Sequence, residues 1–74
     1  MFPTPREREI LVMLCEGLTY QAIAREMGIS PHTVDAHIRR LRRKAGVTNR
    51  SQLVVLAMQL GIYQATAGKA GMDG

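Results

Sequence analysis

Residues 19–44 read TYQAIAREMGISPHTVDAHIRRLRRK, and this stretch decides the fold. Ala24, Gly28 and Val34 are separated by four and then six residues. Ala24 is small where two helices would cross closely. Gly28 permits a positive φ in a tight turn without a Cβ clash. Val34 would face inward from the second of the two helices onto the first. Thr19 suits the N-cap of the leading helix, whose apolar side is Tyr20, Ile23, Ala24 and Met27. Ile29 is apolar within the turn and is expected to plug the core. Ser30-Pro31 opens the trailing helix, which should run to about Ala45 with Gly46 as its stop. Two helices joined by a short turn at a steep angle make a helix-turn-helix unit.

The trailing helix has two chemically distinct sides. At about 100° per residue, Val34, Ile38, Leu41 and Ala45 fall within about 60° of one another and form the buried stripe. The opposite side carries His32, Ala36, Arg39, Arg40 and Arg43, flanked by Asp35 and Arg42 on one edge and Thr33, His37 and Lys44 on the other. A helix that is apolar inside and arginine-rich outside meets the needs of a major-groove reader. Arginine can bind guanine O6 and N7 bidentately, and small Ala36 would allow a close approach and touch a thymine methyl.

The flanking sequence supplies two more helices. Thr4-Pro5-Arg6-Glu7 combines an N-cap, a proline at the first helical position and a capping-box glutamate. Ile10, Leu11 and Leu14 follow on one face, and Gly17 closes that helix. After Gly46, Asn49 with Gln52 marks another start, and Gly61 ends it. Leu53, Leu56, Ala57 and Leu60 make one face, expected to close the core. Val54, Val55 and Met58 lie on another side, where they either pack against the first helix or, as we expect, form a dimer interface. Residues 64–74, QATAGKAGMDG, lack apolar periodicity and read as a disordered tail. The expected architecture is all-α, a four-helix domain over residues 1–63 with no strand.

Composition narrows the function. The chain has 74 residues, 46% of them apolar, which is the signature of a folded domain but leaves little room for a catalytic cleft. Lone Cys15 excludes an internal disulfide and reads as a small core filler, since no activator of a redox thiol is evident. No apolar run reaches about 18 residues, so no transmembrane helix is expected, and no signal peptide opens the chain, which points to the cytoplasm. The only aromatics are Phe2, Tyr20 and Tyr63, too few for a platform that stacks single-stranded bases. His32 and His37 lie about 140° apart on a helix and cannot share a metal as an i,i+4 pair could. No cofactor, metal or catalytic constellation is expected. Glu7, Glu9 and Glu16 read as surface charges of the first helix.

Charge is unevenly distributed. The net charge is +4, but residues 30–50 hold Arg39, Arg40, Arg42, Arg43, Lys44 and Arg50 against Asp35 alone. The remainder is nearly neutral. A charge run by itself is commonly a solvated face. Set on the outer side of a helix-turn-helix, it is the footprint of a polyanion site.

The residues Thr4-Pro5-Arg6-Glu7-Arg8-Glu9-Ile10-Leu11, Glu16-Gly17-Leu18-Thr19, Ile23-Ala24, Gly28-Ile29-Ser30 and Thr33-Val34 together resemble the LuxR-type (GerE-like) DNA-binding domain of bacterial transcription regulators. His37, Lys44, Gly46-Val47 and Asn49-Arg50-Ser51-Gln52-Leu53 extend the resemblance, which covers Pro3 to about Ile62. It implies a tetrahelical helix-turn-helix domain whose third helix enters the major groove of double-stranded DNA and whose fourth supports dimerisation. By position it implies base contacts at Asp35, Ala36 and Arg39. It implies phosphate contacts at Thr19, Tyr20, Gln21, Thr33, Arg40, Lys44, Arg50 and Ser51. From the helix's outer face we add His32 to the base-facing set and Arg43 to the phosphate-facing set. One position departs from the pattern. The residue after Thr33-Val34 is usually lysine in this family, and here it is Asp35. A carboxylate is repelled by phosphate yet can accept from cytosine N4, so Asp35 either sets an unusual sequence preference or weakens binding. It also stands one turn before Arg39, where an i,i+4 pair would hold that guanidinium in one pose.

These readings make the chain a sequence-specific transcription regulator of the bacterial nucleoid, dimeric on a pseudo-palindromic site, with RNA polymerase or another regulator as further partners. Two alternatives remain at this point. Glu16-Gly17-Leu18-Thr19-Tyr20 and the arginine-rich helix also resemble the promoter-reading domain of a sigma factor, although the fourth helix and the His37 position argue against it. Asp35 and the apolar fourth helix also suit a protein-interaction module that has lost DNA affinity.

Overall fold

The computed structural model describes residues 2–63, so the expected 64–74 tail lies outside the described residues. Four helices follow in order: α1 (Pro5–Cys15), α2 (Tyr20–Met27), α3 (Pro31–Ala45) and α4 (Arg50–Gln59). Among the described residues there is no strand.

Each helix begins at the residue whose side chain can replace a missing backbone acceptor. Thr4 Oγ1 accepts from Glu7 N at 3.1 Å while Glu7 Oε1 accepts from Thr4 N at 2.8 Å, a complete capping box. Thr19 accepts from Ala22 N, Ser30 from Thr33 N and Asn49 from Gln52 N. At α4 the reciprocal half differs: Gln52 Oε1 accepts from the backbone N and the hydroxyl of Thr48, outside the cap itself. Each such cap contributes about 1 kcal/mol.

Each helix also ends in the same way. A glycine with positive φ is followed by an aliphatic residue whose N–H reaches back five residues to a carbonyl of the last turn. The pairs are Leu18 to Met13, Ile29 to Ala24, Val47 to Arg42 and Ile62 to Ala57, at 2.9–3.1 Å. This is the Schellman geometry. Leu18, Ile29, Val47 and Ile62 all pack against the core. The device therefore stops a helix and returns an apolar side chain to the interior in one step.

The core is Ile10, Leu11 and Leu14 of α1, Ile23 and Ala24 of α2, Val34, Ile38 and Leu41 of α3, and Leu53 and Ala57 of α4. α2 packs chiefly on α3 and α1 chiefly on α4, with α3 touching both α1 and α4. Cys15 is half-buried at the α1–α4 seam, its thiol 4.0 Å from the Val54 carbonyl. Burial and the nearby Glu16 charge push that thiol up, which disfavours the thiolate.

Three expectations fail here. Leu56 and Leu60 are expected on the core face of α4, yet Leu56 is only half-buried and outside the core, and Leu60 is 49% exposed. The helix ends at Gln59, and Gly61 turns the chain so that Ile62 covers Ala57 instead. Glu7, read as a surface charge, is only 4% exposed. Its carboxylate is turned inward by the capping box and meets Lys44 Nζ at 2.8 Å.

Candidate nucleic-acid interface

α3 is anchored by Val34, Ile38 and Leu41, each fully buried, and this fixes which side it shows to solvent. That side holds exposed His32, Thr33, Arg39, Arg40, Arg43 and Lys44, with Asp35, Ala36, His37 and Arg42 half-buried along it. Ser30 and Thr33 hydroxyls are 2.9 Å apart at its N-terminal end. Asp35 Oδ2 lies 3.1 Å from an Arg39 terminal nitrogen, so the i,i+4 ion pair expected from the spacing is formed.

The cations are not equivalent. Arg40 and Arg43 project as free charges, with no ion pair to another described residue. Lys44 is committed to Glu7, though its side chain remains 40% exposed. Burial alone would raise the Glu7 carboxyl. The hydrogen bond and charge of Lys44, with the two Thr4 hydrogen bonds, outweigh it and hold the carboxyl below its ordinary value.

Arg50 has a structural engagement that its place in the sequence did not reveal. Its guanidinium donates to the Leu18 carbonyl at 3.1 Å and stands 6.0 Å over the Tyr20 ring. It thereby ties the start of α4 to the start of α2. Exposed Thr19, Gln21, Arg50 and Ser51 thus gather around two neighbouring helix N-termini, while Tyr20 is half-buried beneath Arg50. Helix N-termini direct unpaired N–H groups and partial positive charge outward, which suits anions.

On α4, Val55 and Met58 are exposed at 52% and 41%, with Leu60 close along the chain. Val54 is half-buried against the core. An open groove of about 830 Å³ runs between α1 and α2, lined by Arg6, Glu9, Val12, Met13, Glu26 and Met27 among others. It shares no residue with the α3 face. Among the described residues no His, Cys, Asp and Glu cluster could hold a metal, and no helix is long and apolar enough to cross a membrane.

Comparison with known proteins agrees with this geometry. Residues 4–57 match the family described as bacterial regulatory proteins, luxR family. The transcriptional regulatory protein MctR of Rhizobium johnstonii is 37% identical over 59 residues, 80% of this chain and 28% of that protein. The transcriptional activator protein CarR of Pectobacterium carotovorum is 37% identical over 60 residues, 81% of this chain and 25% of the relative. The probable transcriptional regulatory protein SgaR of Hyphomicrobium methylovorum is 44% identical over 57 residues, 77% of this chain and 27% of the relative. The chain thus spans about a quarter of the length of these relatives. All three relatives are named as regulators of transcription. With its capped four-helix core, its cationic α3 face and a family match over residues 4–57, the chain belongs to the luxR family of bacterial regulatory proteins and carries that family's helix-turn-helix domain.

Proposed function

We propose that this chain binds double-stranded DNA with α3 in the major groove and serves as the sequence-reading module of a transcription regulator in the bacterial cytoplasm. The observation that carries this reading is α3 itself. Its inner side is buried through Val34, Ile38 and Leu41, and its outer side is a row of arginines on a helix capped at both ends. The major groove is about 12 Å wide and admits one such helix.

In this reading His32, Asp35, Ala36 and Arg39 face base edges. Thr19, Tyr20, Gln21, Thr33, Arg40, Arg43, Lys44, Arg50 and Ser51 face phosphates. Lys44 keeps donors for a phosphate beside Glu7, since an ammonium carries three. Val55 and Met58 join two copies, while Val54, expected beside them, packs on the core instead; a twofold dimer requires a pseudo-palindromic site. RNA polymerase or a second regulator then meets the surfaces left free.

The test is fluorescence anisotropy of a labelled random-sequence duplex titrated with the chain at several salt concentrations. Log K is expected to fall linearly with log salt, by roughly 0.9 unit for each phosphate neutralised. Absence of binding at low salt would overturn the reading and favour a protein-interaction module.

A further inference from the structure

The one anion on the cationic face of α3 is Asp35, and it is not idle. We infer that Asp35 and Arg39 read DNA as a unit, with Arg39 on a guanine and Asp35 on an adjoining cytosine, and that Asp35 sets the sequence preference of the chain. This rests on the DNA-binding reading and deepens it.

The first observation is the 3.1 Å contact between Asp35 Oδ2 and the Arg39 guanidinium, both side chains being about half exposed on the solvent face. An arginine side chain in water samples many rotamers, and a partner one turn away favours one of them by about 0.3–0.5 kcal/mol. A guanidinium has five N–H donors in a rigid fork. The carboxylate approaches a single terminal nitrogen of that fork, and the other donors are left for guanine O6 and N7.

The second observation is that the Asp35 side chain stays 42% exposed while one of its oxygens faces Arg39, so the carboxylate keeps acceptor capacity towards solvent. Ala36 beside it carries only a methyl, so nothing bulky holds this part of α3 away from a base edge. Major-groove chemistry then selects the base. Guanine offers two acceptors, which repel a carboxylate. Thymine offers an acceptor and a methyl. Adenine offers a donor beside an acceptor. Cytosine alone offers a donor, N4, and no acceptor of its own on the groove edge.

Electrostatics points the same way. A carboxylate in a phosphate-lined groove opposes binding to every sequence alike. Arg39 offsets that penalty locally, and Asp35 regains binding only where a cytosine N4 donor faces it. The pair therefore lowers affinity for DNA in general and raises discrimination.

The experiment is selection from a random-duplex library with the whole chain, its Asp35→Ala variant and its Asp35→Asn variant, each first checked for helical circular dichroism and melting. The native chain is expected to enrich a guanine with a cytosine adjoining it. Asp35→Ala should lose the cytosine and blunt the guanine, a fall in discrimination of roughly 5- to 150-fold, while binding random duplex more tightly. Asp35→Asn should exchange cytosine for adenine, because an amide pairs bidentately with adenine N6 and N7. The same motif enriched by all three chains would overturn the inference and leave the DNA-binding reading intact. So would a native motif without a cytosine beside the guanine, or an Asp35→Ala chain that does not fold. A native chain that retains no duplex at low salt would overturn both.

Discussion

Glu7 Oε2 and Lys44 Nζ are 2.8 Å apart across 37 residues of sequence, and this pair fastens the first turn of α1 to the last turn of α3. Glu7 serves two partners at once. One carboxylate oxygen closes the capping box on Thr4 and the other holds the ammonium. Because the side chain is nearly enclosed, removing its cation would leave a buried charge without a partner, which is costly. The pair lies at the end of the helix that carries the cationic face, so it constrains how that face sits on the rest of the domain.

Stability should fall in acid, with Glu7 as a principal cause. The folded chain holds this carboxyl below its ordinary value, so the unfolded chain takes up the proton first as pH drops. The contribution is complete above the ordinary glutamate range, about pH 4.3, and is lost as pH falls through the folded value. Glu7→Gln keeps the cap geometry but cannot titrate. It is expected to lower stability by about 1 kcal/mol at pH 7 and to flatten the melting temperature between pH 6 and pH 3, relative to the native chain. Parallel pH profiles for the two chains would refute the assignment.

Lys44 and Arg43 are neighbours with opposite commitments, and they should separate in experiment. Arg43→Ala removes an exposed charge with no ion-pair partner among the described residues. It is expected to leave the unfolding midpoint nearly unchanged, within about 0.5 kcal/mol, and to reduce the salt slope of DNA binding by about 0.9. Lys44→Ala should instead destabilise the fold by about 1–3 kcal/mol, the usual cost of leaving a buried acceptor unpaired. Urea unfolding measured beside salt-dependent anisotropy distinguishes the two. If both variants behave alike, the Glu7–Lys44 pair carries no weight in solution.

The turn between α2 and α3 depends on Gly28. Its φ is +70°, and an added Cβ would meet nothing within 4 Å. Any cost of Gly28→Ala therefore comes from the backbone conformation and not from a clash. About 1–2 kcal/mol is expected, since a left-handed residue with a Cβ is disfavoured by that amount. The urea midpoint should drop without a change in slope. A variant as stable as the native chain would mean that the turn relaxes to another conformation.

Most of the fold was legible because most of it is local. Thr4, Thr19, Ser30 and Asn49 each cap a backbone N–H three residues ahead, and Gly17, Gly28, Gly46 and Gly61 each end a helix within one turn. The two-sided character of α3 was equally legible, because one periodic helix fixes it, and the Asp35–Arg39 pair follows from i,i+4 spacing. Contacts between distant residues were not. Glu7 carries the same sequence signature whether its second oxygen meets water or Lys44. Arg50 reads as one more cation until its contact with the Leu18 carbonyl, 32 residues away, is seen. Leu60 went astray for a different reason. A helical wheel keeps turning past the end of the helix, whereas the chain reverses at Gly61 and delivers Ile62 to the core.

The exposed end of α4 bears on assembly. Val55 and Val54 are adjacent, yet Val55 is 52% exposed while Val54 packs on the core. If two copies meet through Val55 and Met58, Val55→Glu should shift a dimer towards monomer and leave helicity and melting nearly unaltered, because a carboxylate there remains in water when the chain is alone. Val54→Glu should instead unfold the domain by several kcal/mol, since it drives a charge against a packed core. The contrast separates an interface from a core position on the same helix. Sedimentation velocity across a concentration series, with and without a palindromic duplex, measures the first effect. Two copies bound side by side on DNA gain effective concentration, so the difference between native and Val55→Glu chains should be largest on the duplex. A native chain that stays monomeric at high concentration and binds each half-site independently would sink this interface.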